Sequence, residues 1–423
     1  MPQSPNDKIQ FALIGSGGMG QGDARNAIDH GGAQIVAAAD LYDGRLVRMK
    51  ESFGSHVFTT RDYREVLARK DVDAVIIATP DLWHSRISID AMNAGKDVYC
   101  QKPMVQKIAQ GYDVIAAQKK TGRIFMVGSQ YVSSQTYHKA KQLLASGAIG
   151  ELNMVESWLD RNSAIGAWQY SIPTDASPQT VDWDRYLGDI APKRPFDTKR
   201  FFRWRNYQDY GTGLAGDLYI HLLSGLHFAV NSLGPVRVFS TGGTRYWKDG
   251  RDVPDVNLAL LDYPKTDTHP EFTLTLKVNF ASGGQLESFG TRLIGSEGVI
   301  EIGYTTVSLS RRPREAEPGY TIETFTKATQ QKYLDAYRKK YPVKTASPEV
   351  MRPAKEDVYN AGSGYSAHHD HHRAFWNAVR TRTPHIEDAV FGMRAAAPAL
   401  LSNQSFYANR LLMWDPSAMK VVS

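Results

Sequence analysis

The chain has 423 residues, 42% of them hydrophobic and 22% charged, which suits two cores of ordinary domain size and excludes a disordered chain. A formal net charge of +6 is too diffuse for a nucleic-acid surface. The densest basic runs, Arg311-Arg312-Pro313-Arg314 and Arg338-Lys339-Lys340, sit in no recognition motif, so a small anionic ligand is favoured instead.

The single cysteine, Cys100, excludes an internal disulfide, and no Cys/His spacing reads as structural zinc. The polar start 1–7 has no apolar leader core, and nothing approaches the roughly 18 apolar residues of a membrane span. The expectation is a protein without a membrane anchor, cytoplasmic as written and periplasmic if a leader preceded it.

From 8 to 127, short apolar runs alternate with amphipathic stretches, the rhythm of a parallel sheet with crossover helices. The runs are Ile9–Ile14, 35–39, 75–78, 98–100 and 124–127, with helices expected over 62–69 and 85–94. After a segment at 136–146 the pattern turns to alternating strands, clearest at 273–280 and followed by 285–289, 292–294 and 299–302, which predicts an antiparallel sheet. A helix is expected over 217–231. From 304 to 364 the period is lost, which reads as a long excursion, an arm at a subunit contact. Two helices, 366–380 and 387–408, close the chain. The fold class is α/β: a Rossmann domain (1–127), an α+β domain on an open antiparallel sheet (128–365), and C-terminal helices and tail (366–423) packing back toward the first domain.

Gly15-Ser16-Gly17-Gly18-Met19-Gly20 is a GxGxxG directly after the first apolar run. Gly15 permits the turn, Gly17 lets backbone N–H groups approach a pyrophosphate, and Gly20 lets helix and strand pack closely. Asp40 ends the second run twenty residues past Gly20, where a carboxylate accepts from both adenosine ribose hydroxyls. Its other reading is a helix N-cap before Gly44-Arg45-Leu46. As a ribose ligand it repels a 2′-phosphate, and Leu41 and Tyr42 supply no cation, so NAD is expected over NADP, with Arg45 the group that could reverse this.

Through Thr79-Pro80-Asp81-Leu82-Trp83-His84, Ala94-Gly95-Lys96-Asp97-Val98-Tyr99-Cys100-Gln101-Lys102-Pro103, Trp183-Asp184-Arg185-Tyr186-Leu187-Gly188 and Gly216-Asp217-Leu218-Tyr219-Ile220-His221, the chain resembles the Gfo/Idh/MocA oxidoreductases. The resemblance implies that Lys102, Asp217 and His221 surround the nicotinamide. It implies further that Gly18, Met19, Leu41, Arg45, Thr79, Pro80, His84 and Gln101 line the cofactor site. At i and i+4, Asp217 and His221 share a helix face and could address one hydroxyl together, the imidazole taking its proton while the Lys102 ammonium polarises the forming carbonyl.

The chain departs from the family pattern at Gln101, where relatives carry Glu, and at Gln130-Tyr131, which marks a distinctive substrate pocket. Arg203, Arg205, Asp209 and Tyr210 are further candidates to grip sugar hydroxyls. His368-His369-Asp370-His371-His372 spreads around the start of a helix rather than along one face, so no metal is expected.

The function expected is NAD-dependent hydride transfer at a secondary hydroxyl or ketone of a sugar, glycoside or cyclitol. Two alternatives stay open: a redox-neutral, NAD-dependent glycoside-cleaving enzyme working by transient oxidation and elimination, and a non-catalytic dinucleotide sensor. The resemblance also implies pairing through the open sheet, as a homodimer or homotetramer. No nucleic-acid or membrane partner is expected.

Overall fold

The computed structural model describes residues 8–311, 320–342 and 357–422. The first domain runs β1 (Ile9–Ile14), α1 (Gly18–Asp29), β2 (Ala33–Ala39), α2 (Asp43–Phe53), β3 (Phe58–Thr60), α3 (Tyr63–Leu67), β4 (Ala74–Ile77), α4 (Asp81–Asn93), β5 (Asp97–Cys100), α5 (Ile108–Thr121) and β6 (Phe125–Val127). All six strands are parallel, in the order β3-β2-β1-β4-β5-β6. Helices cover both faces, which is why β1 and β4 are apolar at nearly every position instead of alternating. The strand order reverses between β1 and β4, and a crevice opens there at the strands' C-terminal ends. The edge strand β3 was not anticipated, because three half-buried residues carry no period.

A 3₁₀ turn, Gln130–Ser133, leads into α6 (Gln135–Ala145) and β7 (Leu152–Arg161). The short helices α7 (Trp183–Leu187) and α8 (Thr198–Phe202) follow, then a π-helical turn, Ala215–Tyr219, that runs straight into α9 (Ile220–Val230). Next come β8 (Arg237–Gly243), β9 (Val256–Tyr263), β10 (Phe272–Asn279), β11 (Glu287–Gly295), β12 (Gly298–Ile302), β13 (Thr306–Arg311), α10 (Lys327–Lys340) and β14 (Asp357–Asn360). The chain closes with α11 (Ala367–Thr381), α12 (Ala389–Ala408), β15 (Leu412–Asp415) and β16 (Lys420–Val422).

The second sheet has ten strands in the order β14-β13-β12-β11-β7-β10-β9-β8-β15-β16. It is mixed rather than antiparallel throughout: β7 pairs antiparallel with β11 but parallel with β10. The link 280–286 turns the chain around the end of β7, and a strand inserted between two antiparallel neighbours must run parallel to one of them.

The excursion expected over 304–364 contains β13, α10 and β14. The strand was missed because only Val307 and Leu309 mark its buried face, and α10 because it buries no residue at all. The remainder of that arm, 312–319 and 343–356, lies outside the described residues. The expected tail also proves structured, since β15 and β16 extend the sheet beyond β8. Helix α11 seats Phe375 and Trp376 on the Rossmann sheet, with Trp376 5.3 Å from the Phe11 ring, while α12 lies between α5, α9 and β8. Among the described residues no helix is long and apolar enough to cross a membrane, and no three His, Cys, Asp or Glu side chains are grouped to hold a metal ion.

Candidate active site

A cavity of about 690 Å³ follows the crevice from the glycine loop to the second sheet. At the loop, Gly15 adopts φ +93°, and a Cβ there would stand 2.6 Å from the Ala78 carbonyl; one on Gly20 would stand 2.1 Å from the Gly15 oxygen. Only glycine allows this close turn. Helix α1 then starts with no side-chain cap and no acidic residue in its first turn, so its N–H groups face the cavity beside Gly17, Gly18 and Met19, the arrangement a pyrophosphate requires. Gly20 lies beneath the loop and packs instead of lining it.

Asp40 is buried at the crevice wall. Its Oδ2 accepts from Ser16 N at 2.7 Å and its Oδ1 from Tyr42 N at 3.0 Å, while Arg45 Nη1 stands 3.5 Å from Oδ2. It does not cap α2, whose N-cap is Tyr42. The loop therefore holds a carboxylate at the edge of the cavity, with Leu41 and Arg45 beside it. Thr79 and Pro80 form the opposite wall. His84 lines the same wall, but its ring nitrogens are committed to the Pro103 oxygen (2.7 Å) and the Thr79 oxygen (2.9 Å), and burial pushes its pKa down to about 4. It ties the ends of β4 and β5 together.

Sequence reading missed the roof over this end. Asp182 N donates to the Leu41 oxygen at 2.8 Å, Asp43 N to the Thr180 oxygen at 3.0 Å, and Tyr42 Oη to Asp175 at 2.6 Å. Phe202 meets Tyr42 edge-on at 5.3 Å with the Arg45 guanidinium over its ring. More than 130 residues separate Tyr42 from its partner Asp175, so no local pattern signals these contacts.

At the other end Lys102, Asp217 and His221 converge. Lys102 Nζ donates to Asp217 Oδ1 at 2.8 Å and to the Asp217 backbone oxygen at 2.9 Å, and Arg205 Nε reaches the same Oδ1 at 3.3 Å. Burial alone would raise the Asp217 pKa, but the two cations hold it well below the usual carboxylate range. Burial likewise works against the Arg205 charge, and Asp217, Tyr170 and Asp81 together more than offset it. For Lys102 burial wins and its pKa falls. Asp81, which accepts from Thr212 N at 2.9 Å and Thr212 Oγ1 at 2.7 Å, is pushed up to about 7 by burial and by the charge of Asp217.

The geometry at Asp217 is not that of the expected i, i+4 pair on one α-helix: the π turn ends between it and His221, and its Oδ1 accepts from both Lys102 and Arg205, while the residue still lines the cavity. At His221 burial, then the nearby Lys102 charge, holds the pKa well below 6.5, and its buried Nδ1 has no hydrogen-bond partner among the described residues.

Of the substrate candidates, Gln130, Tyr131 and Arg205 line the cavity. Tyr131 meets His221 edge-on at 5.6 Å and stacks on Phe289, which stacks on Tyr304. The other three do not line it. Arg203 is taken by the Tyr170 oxygen and Gln169, upstream of α7, Asp209 pairs with Arg194 at 2.8 Å, and Tyr210 is buried between Trp183 and Tyr186. In their place stand Arg161 and Glu287, an ion pair at 2.8 Å facing each other across β7 and β11, with Tyr304 Oη bonded to Glu287. Their register, set 126 residues apart, was not readable in advance.

The C-terminal histidines spread as the helix geometry requires. His368 lines the cavity, His371 bonds Ser133 Oγ, and His372 bonds Asp23.

The model of an oxidoreductase family with an NAD-binding Rossmann fold, GFO_IDH_MocA, matches residues 9–129. Over this domain the chain is similar to the Gfo/Idh/MocA oxidoreductases. Inositol 2-dehydrogenase of Rubrobacter xylanophilus is 31% identical over 162 residues, 38% of this chain and 46% of that protein. A 2,7-anhydro-N-acetylneuraminate hydratase of Mediterraneibacter gnavus is 30% identical over 166 residues, 39% of this chain and 42% of that protein. The chain thus matches less than half the length of either Gfo/Idh/MocA relative. A levoglucosan dehydrogenase solved with NADH and levoglucosan covers 96% of this chain and 99% of its own, with a TM-score of 0.69 and 16% identity, so the two-domain fold is shared.

Proposed function

We propose that this protein is an NAD-dependent oxidoreductase that moves a hydride between the nicotinamide and a secondary hydroxyl or ketone of a sugar, glycoside or cyclitol. The observation that carries the reading is the convergence of Lys102, held by Asp217, with a neutral, unpartnered His221 in the cavity that begins at the glycine loop. The Gly15 turn and the uncapped N-terminus of α1 fit a pyrophosphate, and Asp40 fits a ribose diol. NAD, when bound there, supplies the hydride acceptor.

In the oxidising direction His221 takes the hydroxyl proton, while the Lys102 ammonium donates a hydrogen bond to the same oxygen as it becomes a carbonyl. Asp217 and Arg205 hold Lys102 in place. Tyr131 and Tyr304 offer an aromatic wall, and Arg161 with Glu287 offers donors and acceptors for the remaining hydroxyls, a combination suited to a polyhydroxylated ring. The outward side of β9, with Leu258 and Leu260 about half exposed, supports pairing of two copies through the open sheet.

A substrate deuterated at the reacting carbon tests the reading: the label is expected on the nicotinamide ring, with a keto sugar as product. Return of the label to product with release of aglycone and no NADH favours the redox-neutral reaction. Tight NAD binding with no reaction across sugars, glycosides and cyclitols favours the sensor.

NAD is expected to exceed NADP in kcat/KM because Asp40 faces the 2′ position and already neutralises Arg45. Asp40→Ala is expected to narrow that preference by about tenfold, or 1.4 kcal/mol. Equal use of both cofactors by the wild type would remove the role given to Asp40.

A further inference from the structure

Gln101 precedes Lys102 and lines the cavity, yet its amide is held from behind. Its Nε2 lies 2.8 Å from Asp23 Oδ2, and Asp23 Oδ1 lies 3.1 Å from His372 Nε2. Asp23 and His372 are wholly buried, and His372 stacks on Tyr99 with ring centroids 4.4 Å apart. A carboxylate offers only acceptors, so the Gln101 atom facing Asp23 must be the amide nitrogen and Oε1 must face away. There Oε1 accepts a hydrogen bond from the Lys102 backbone N–H, with nitrogen and oxygen 3.3 Å apart. Gly128 makes room for the amide and confines it: a Cβ at 128 would stand 3.2 Å from Cδ, Nε2 and Oε1 alike. Three elements, α1, β5 and α11, thus meet on one side chain that borders the cofactor site.

We propose that Asp23, itself oriented by His372, is a positioning residue for the oxidoreductase reaction. It fixes the Gln101 amide so that a carbonyl oxygen, rather than an N–H, is presented beside Lys102 to an O–H or N–H donor on the nicotinamide half of the dinucleotide. The inference rests on the NAD-dependent reading of the cavity. The pair is an amide against a carboxylate, and it matters that only one member carries charge. Two carboxylates at this separation would have to share a proton. The other titratable groups facing Asp23 are His372 and His368 from α11 and Tyr99 from β5, with Lys102 just beyond.

The test is a reciprocal exchange followed by NADH fluorescence, kcat and melting. Gln101→Glu is expected to weaken NADH binding at least tenfold at pH 8 and to make it improve as pH falls, because the shared proton then relieves the repulsion. Asp23→Asn frees the amide to flip and is expected to lower kcat about tenfold. The double variant, Asp23→Asn with Gln101→Glu, restores one carboxylate against one amide and is expected to recover NADH affinity to within about threefold of wild type, with the new pH dependence gone. Gln101→Met, which moves no charge, guards against misfolding of the Asp23 variants and is expected to lower NADH affinity with an unchanged melting curve. A double variant no better than the worse single, or a Gln101→Met protein that binds NADH and turns over like wild type, overturns the positioning role. Failure of the wild type itself to bind NADH overturns the NAD-dependent reading instead.

Discussion

His221→Gln is expected to lower kcat for sugar oxidation by about a hundredfold or more, and Lys102→Met by a comparable factor, the usual scale for a group that moves or stabilises a proton in the transition state. In the proposed reaction the two side chains act at one oxygen. His221 is suited to accept because burial and the Lys102 charge keep its ring neutral. Its folded pKa lies well below 6.5, so the base form persists through neutral pH and the limb due to His221 lies on the acid side, while loss of the Lys102 proton sets the alkaline one. His221→Gln should remove that acid limb along with the rate. Lys102→Met should leave the fold intact, because Asp217 retains Arg205 at 3.3 Å as counter-ion. Stopped-flow measurement of NADH formation separates these effects from cofactor affinity. Near wild-type turnover by either variant, with an unchanged melting curve, would refute the assignment.

What the sequence made legible is what depends on short-range spacing. The glycine turn, the strand before it and Asp40 lie within about thirty residues, and each demands a particular residue type for a local steric or hydrogen-bonding reason. The fold class followed from period, since strands buried on both faces and strands buried on one face differ in pattern. The partners chosen across the sheet were beyond reach. Arg161 and Glu287 look like solvated charges at strand ends until register sets them opposite each other, and β7 is revealed as parallel to β10 only once it is seen between β10 and β11. Arg203 and Asp209 fail for the converse reason: their residue types suit a sugar, but Gln169, Tyr170 and Arg194 take them first. Asp217 illustrates both limits. The i, i+4 spacing presumed an ordinary α-helix, whereas a π turn and two cations from elsewhere redirect its carboxylate.

Asp217→Ala is accordingly expected to show its largest effect in stability, about 3–5 kcal/mol, the scale for removing one member of a buried ion pair. The Lys102 side chain is only 10% exposed and that of Arg205 22%, so water in the cavity replaces only part of the solvation the carboxylate provided. The Asp217 pKa is lowered in the folded protein, so its stabilising contribution is fully present above its unfolded value near 4 and is lost only as pH falls through the folded value. Melting at pH 7 therefore samples the whole effect. Asp81 moderates it: its pKa, raised to about 7 by burial and by the Asp217 charge, drops when that charge is removed, and Asp81 becomes the nearest carboxylate to both cations. The loss should hence be smaller at pH 8 than at pH 6. Removing one cation as well, in Lys102→Met with Asp217→Ala, should recover most of the loss while leaving activity abolished. An Asp217→Ala protein that melts within a degree or two of wild type at pH 6, or a double variant no more stable than the single, would show that Asp217 is not the counter-ion that keeps Lys102 charged and in place.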